Sequence, residues 1–364
     1  MKYIFILGNN PELSKVEIIS VINPQKIIGQ SRHFLVVESK TLDCQKLIKQ
    51  LGGTIKIGII LGRHPEPGPV IGSATSSEKK FKFGFSFYEQ KPSNIGMKIK
   101  GLLKEQGINA RLVSSKEPAL SAVIIKKEKC MDFIVAPDFF AMTCAVQDFE
   151  GFNKRDFDRP ASDSLSGMLP PKLAKMMLNI SAIPKNGVLL DPFCGSGTIL
   201  AEALDLGIIN LIGTDLSIKA IKDTQENLNW LVKELQVKPQ QLIIKQLDAQ
   251  QLSQQFKHDS IDAIVSEPYL GKPIKGNEKD ATIRKIVDEL ELLYLKSFEQ
   301  FYKILKPGAR AVIVIPEWHL EQTMIKMNIF KQIEKIGFTR LDEGNLIYKR
   351  EKQKVWRNIT VWFR

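Results

Sequence analysis

Five short apolar runs, GVLLD, LIGTD, LIIKQ, DAIVS and RAVIVIP, recur through the second half of the chain, and segments of helical period separate them. Runs of this length without polar alternation are the mark of strands covered on both faces, as in a parallel sheet. Parallel neighbours need a crossover, and the intervening helices supply it. From Met168 onward the chain therefore reads as a doubly wound α/β sheet of Rossmann-like form. LPPKLAKMMLNIS precedes the first strand as a helix with proline in its opening turn. FTRLDEGNLIYKRE and KVWRNITVWFR read as strands joined by a short turn, hence an antiparallel hairpin at the sheet edge.

The N-terminal half has another texture. YIFILG, HFLVVES and LIKQLGGTIKIGIIL, set around short helices, read as one α+β module over residues 1–60. A second module is expected over 61–150. It comprises the strand KKFKFGFSFYE, a helix carrying Ile95, Met97, Ile99, Leu102 and Leu103 and stopped at Gly107, a further strand, and then SAVIIKKEK and MDFIVA as strands. Residues 151–167, dense in Arg, Asp, Pro, Gly and Ser, read as a linker to a domain over 168–364.

A net charge of +12, concentrated in the first 160 residues, favours a polyanionic partner. In KKFKFGFSFYE aromatics alternate with cations. The strand either turns a solvated lysine face to water or lays Lys79, Lys80 and Lys82 along a phosphate backbone, with Lys98, Lys100 and Lys104 of the next helix beside them. No apolar run reaches the length of a membrane span, and the N-terminus lacks a cleavage site, so a cytoplasmic location is expected. The four cysteines form no Cys-x-x-Cys pair and the four histidines are scattered, so neither a disulfide framework nor a metal site is suggested.

In doubly wound sheets ligands bind at the carboxyl ends of the strands. The first tip reads Asp191-Pro192-Phe193-Cys194-Gly195-Ser196-Gly197-Thr198, in which the two glycines let the backbone approach a ligand. The second ends in Asp215-Leu216, the third near Asp248-Ala249, and the fourth in Ser266-Glu267-Pro268-Tyr269. An acid about twenty residues beyond a glycine loop suits ribose hydroxyls. A dinucleotide would set its pyrophosphate against the carboxylate of Asp191, and the usual third glycine is absent. S-adenosylmethionine brings a sulfonium and an ammonium instead, which Asp191 favours, while Asp215 takes the ribose and Asp248 the adenine amino group. Each aspartate taken alone is equally an ordinary helix N-cap. Cys194 has no base near it in sequence and reads as a small packing residue beside the cofactor.

DPFCGSGT resembles the cofactor loop of amino-methyltransferases, and SEPYLG stands where that class carries an Asn-, Asp- or Ser-Pro-Pro-aromatic motif. RDFDRPASDSLSGMLPPKLA, this loop and the closing KVWRNITVWFR together are similar to the THUMP-domain tRNA guanine-N2 methyltransferases, over most of the chain. MKIKGLLKEQGINARLV, ALSAVIIKK and TCAVQDFEGFNKRDFDRP look like a THUMP domain, and the resemblance makes the α+β module before it a small ferredoxin-like region. The resemblance implies that this domain grips the tRNA acceptor end while the Rossmann-like domain methylates a guanosine at position ten. Ser266 by its hydroxyl, and Glu267 or Pro268 by a carbonyl, would hold the target amino group, and Tyr269 would stack on the base or else pack in the core. Glu267 stands where the family has a proline, and it could accept a proton, bind the guanine edge or point away. Amino-methylation of DNA, or RNA binding with retained S-adenosylmethionine and no transfer, are the competing readings.

Overall fold

The structure is a computed structural model describing residues 1–364 except 74–80, 162–167, 322, 342, 343, 345, 351 and 352. The chain divides into two compact units, Met1–Glu150 and Gly151–Arg364.

The first unit runs β1 (Lys2–Leu7), α1 (Pro11–Ile22), β2 (Lys26–Gln30), β3 (Phe34–Glu38), α2 (Cys44–Gln50), β4 (Thr54–Gly62), α3 (Pro67–Ser73), β5 (Phe81–Phe87), α4 (Ile95–Glu105), β6 (Ala110–Val113), α5 (Ala122–Glu128), β7 (Met131–Ala136) and β8 (Phe139–Val146). One sheet of eight strands, ordered β2-β3-β1-β4-β8-β7-β5-β6, carries all of them. The expected division at residue 60 falls inside β4, which pairs with β1 on one side and β8 on the other. A buried polar knot crosses the centre of this sheet. Asp132 of β7 accepts hydrogen bonds from Lys56 (2.9 Å), Ser86 (2.6 Å) and Thr143 (2.8 Å), so β4, β5 and β8 all converge on one carboxylate.

Four expectations need correction here. SAVIIKKEK is a helix, α5. Its β-branched run suggested a strand, but Ser121 caps the Ile124 amide and Lys126 and Lys127 sit in the last turn, where cations favour a helix end. On α4 the buried side is Ile99 and Leu103 with Gly96, whereas Met97 and Leu102 are exposed. The strand β5 buries both faces, Phe81, Phe83 and Phe85 packing into a core cluster with Ile99 and Leu103 of α4 on one of them. Its second face holds Gly84 and Ser86, both buried, and a Cβ on Gly84 would meet Leu120 Cδ1 at 2.5 Å. Finally, Cys44 and Cys144 form a disulfide between α2 and β8. Spacing could not show it, since the partners are 100 residues apart and meet only through the pairing of β4 with β8.

A helix α6 (Phe149–Phe157) covers residues 151–157 of the expected linker, whose residues 162–167 lie outside the described ones. The second unit continues with α7 (Pro171–Ile180), β9 (Val188–Asp191), α8 (Thr198–Asp205), β10 (Asn210–Asp215), α9 (Ile218–Leu235), β11 (Gln241–Gln246), a 3-10 turn (Ala249–Gln254), β12 (Ile261–Ser266), α10 (Asp280–Ile304), β13 (Leu305–His319), β14 (Met324–Lys326), α11 (Phe330–Ile336), β15 (Thr339–Leu341), β16 (Ile347–Tyr348) and β17 (Val355–Phe363). All five expected apolar runs are strands. Strand order is β11-β10-β9-β12-β13-β17-β15, parallel from β11 to β13, with β17 antiparallel against β13, β15 and β16, as the closing hairpin requires. The order reverses between β9 and β12. A crevice opens at the carboxyl ends of strands at such a reversal.

Candidate active site

The crevice is a cavity of about 1000 Å³ at the carboxyl ends of β9, β10 and β12. Its wall includes Asp191, Phe193, Cys194, Gly195, Ser196, Thr198, Asp215, Leu216, Asp248, Ala249, Glu267, Pro268 and Tyr269. Of the fifteen cofactor and target residues picked out in the sequence, Gly197 and Ser266 lie behind the wall.

The glycine loop between β9 and α8 takes its shape from two left-handed residues, Gly195 at φ +52° and Gly197 at φ +84°. A side chain at 197 would also press on Thr224, with Cβ 3.0 Å from its methyl carbon. Helix α9 fastens the loop from outside. Thr224 donates its hydroxyl hydrogen to the Gly195 carbonyl at 2.7 Å, and Asn227 donates to the Ser196 carbonyl at 2.8 Å. Neither residue was singled out in the sequence. The available signal was two polar side chains on the buried stripe of an amphipathic helix, where apolar residues are the rule.

Each strand-tip acid has a defined environment. Asp191 is fully buried and accepts hydrogen bonds from the Ser266 hydroxyl at 2.6 Å and the Phe193 amide at 3.3 Å. Burial pushes its carboxyl up to about 7 despite those two donors, and the nearby carboxylates of Asp215 and Glu267 add to the rise. Asp215 accepts from the amides of Gly195 (3.0 Å) and Ser217 (2.8 Å), which ties the first strand tip to the second. Asp248 caps the 3-10 turn by accepting from the Gln250 amide at 2.9 Å. For Asp248 the ordinary capping role is thus present alongside its place in the cavity wall. Burial raises the Cys194 thiol well above its usual range, which removes the thiolate a nucleophile would need.

At the fourth tip the side chains divide. Ser266 spends its hydroxyl hydrogen on Asp191, away from the cavity. Glu267 forms an ion pair with Arg357 of β17, the Arg357 Nη2 standing 3.4 Å from Oε2 while Nε engages Oε1. Burial raises the Glu267 carboxyl, and Arg357 and Arg350 oppose the rise. The Tyr269 ring is 54% exposed at the cavity mouth, so it is no core aromatic. Arg357 gave no sequence signal, being one cation within an edge strand.

Among the cations expected to meet a phosphate backbone, Lys98, Lys100 and Lys104 are exposed on α4. Lys82 instead pairs with Glu128 at 2.9 Å. Lys79 and Lys80 lie outside the described residues. Among those residues no group of His, Cys, Asp or Glu could hold a metal ion, and no helix is long and apolar enough to cross a membrane.

A mostly parallel sheet with its glycine loop, three acidic strand tips and an exposed aromatic at the fourth defines a Rossmann-like fold with a ligand-binding crevice. Residues 155–342, more than half of the chain, match the methyltransferase domain described as RMKL-like (UPF0020), and the chain belongs to that family. It is 28% identical over 204 residues to the tRNA (guanine(10)-N2)-dimethyltransferase of Methanocaldococcus jannaschii, covering 54% of this chain and 52% of that one. It is 32% identical over 165 residues to the protein of the same name from Methanothermobacter thermautotrophicus, covering 43% of this chain and 44% of that one. The chain thus spans about half the length of the curated relatives it matches. The crystal structure of TrmN from Thermus thermophilus superposes over 100% of both chains with a TM-score of 0.53 at 16% identity, a likeness of fold.

Proposed function

We propose that this protein is an S-adenosylmethionine-dependent methyltransferase acting on the exocyclic N2 of a guanine in tRNA, in the region of position ten. The observation that carries the reading is the pairing of a carboxylate-lined cavity with an exposed tyrosine at its mouth, in a chain of a methyltransferase family. The names of the relatives from Methanocaldococcus and Methanothermobacter supply the target base.

The residues present fit the cofactor. Asp191 offers a carboxylate to a cationic amino acid head, Asp215 offers acceptor lone pairs to ribose hydroxyls, and Phe193, Leu216 and Ala249 offer apolar surface to an adenine. When bound, S-adenosylmethionine supplies an electrophilic methyl group. The amino nitrogen of guanine is a weak nucleophile because its lone pair is delocalised into the ring. The protein has to hold it close and accept its hydrogens so that the nitrogen becomes tetrahedral. Ser266 is fully buried behind the cavity wall, so the backbone carbonyls of Glu267 and Pro268 are the acceptors assigned to those hydrogens. Tyr269 provides the stacking face for a base turned out of its helix.

The N-terminal unit is proposed to grip the tRNA, in the manner of a THUMP domain over residues 61–150. The exposed lysines of α4 would neutralise phosphates there. Incubation with tritiated S-adenosylmethionine and either unmodified tRNA or duplex DNA tests the substrate class. Label in tRNA alone is expected. Label in DNA, or none with either despite cofactor binding, contradicts the proposal.

A further inference from the structure

Resting on that reading, we infer that Arg357 and Tyr294 are positioning residues for the loop Glu267–Tyr269, and that the ion pair to Arg357 does the stiffening that a proline at position 267 would do. Pro268 already fixes its own φ and holds the ψ of Glu267 extended. A proline at 267 would fix φ there as well, whereas glutamate leaves that torsion, which aims the loop leaving β12 toward Tyr269, to be held by its side chain. Among the described residues two holds are seen. Arg357 reaches from β17 across the carboxyl end of β13, where it is paired with Pro316, and grips both oxygens of Glu267. Its own Nη1 is braced by Gln353 Oε1 at 3.2 Å. The hydroxyl of Tyr294, a buried residue of α10, donates to the Tyr269 carbonyl at 3.3 Å.

The chemistry of the pair favours a clamp over a proton acceptor. A planar guanidinium matches a carboxylate with two donors in a fixed fork, so direction as well as distance is set. Arg357 and Glu267 are almost wholly shielded from water, with side-chain exposures of 4% and 14%. With both oxygens occupied, the carboxylate is poorly placed to take the proton that the amino nitrogen loses. The antiparallel closing strand of the sheet thereby acquires a direct part in orienting the target base.

The test compares two double variants, because Arg357→Met alone strands a buried charge and risks misfolding. R357M/E267Q removes the clamp without leaving a charge, and R357M/E267P replaces the clamp with a ring. Hydrogen exchange of the Tyr269, Leu270 and Gly271 amides is expected to be at least about tenfold faster in R357M/E267Q and to return close to wild type in R357M/E267P. Single-turnover methyl transfer to an unmodified tRNA transcript should fall by about tenfold or more and recover in the same order, with the dissociation constant for S-adenosylmethionine changed by less than about threefold. Unchanged exchange in R357M/E267Q, or no recovery of protection with proline, overturns the inference. Faster exchange with an undiminished rate does so as well. A wild-type protein that transfers no methyl overturns the transferase reading, and the exchange measurement still decides the clamp.

Discussion

Asp191 is the residue on which the electrostatics of the cavity turn. Its carboxyl is raised from an ordinary 3.8 to about 7 by burial, so the folded protein holds a proton that the unfolded chain has already released. Across that window stability contributed by this group falls as pH rises, since the native state binds the more protons. A cationic ligand must displace that proton. Affinity for S-adenosylmethionine measured by calorimetry is therefore expected to weaken by up to about tenfold per pH unit below about pH 7, with proton release on binding. Affinity independent of pH between about 6 and 8 would remove Asp191 from contact with the cationic head. Asp215→Ala should weaken the same affinity by about 1 to 3 kcal/mol, through loss of a charged acceptor and of the Gly195 amide tie. Unchanged affinity would take Asp215 out of the site.

At the scale of elements, the polar knot on Asp132 decides how β4, β5, β7 and β8 register with one another. Lys56→Met leaves that carboxylate buried without its cation and is expected to destabilise the protein by about 3 to 5 kcal/mol, whereas a Lys56→Met/Asp132→Leu pair should recover most of the loss. Denaturant unfolding gives both values, and a single variant as stable as wild type would show the knot to be dispensable. The strands were legible in the sequence wherever composition alone sets them. GVLLD, LIGTD, DAIVS and RAVIVIP are apolar because both faces are covered, LIIKQ at the sheet edge being only half-buried, and the acids at the strand tips stand out against that background. Features made by distant chain segments were not legible. Cys44 and Cys144, Glu267 and Arg357, and Ser266 and Asp191 become partners only through sheet order. α5 was misread because a short β-branched run carries the same pattern in a helix and a strand, and its cap was the finer signal.

For the whole molecule, a basic N-terminal unit and a cofactor-binding C-terminal unit divide the work of holding tRNA and transferring a methyl group in the proposed reading. Phosphate neutralisation makes tRNA affinity fall steeply with salt, and replacing Lys98, Lys100 and Lys104 with alanine should reduce the slope of log affinity against log salt by about 2. An unaltered slope would place the tRNA elsewhere. In the proposed reading the cavity and Tyr269 together direct a methyl group to guanine N2. Nucleoside mass spectrometry of unmodified tRNA after incubation with S-adenosylmethionine tests it most directly, run with the wild-type protein and with Tyr269→Ala. N2-methylated guanosine is expected from the wild type. The variant should yield it more slowly, by the loss of a stacking face contributing about 1 to 3 kcal/mol, with cofactor affinity nearly intact. A methylated base other than guanine, or equal rates from the two proteins, would contradict it.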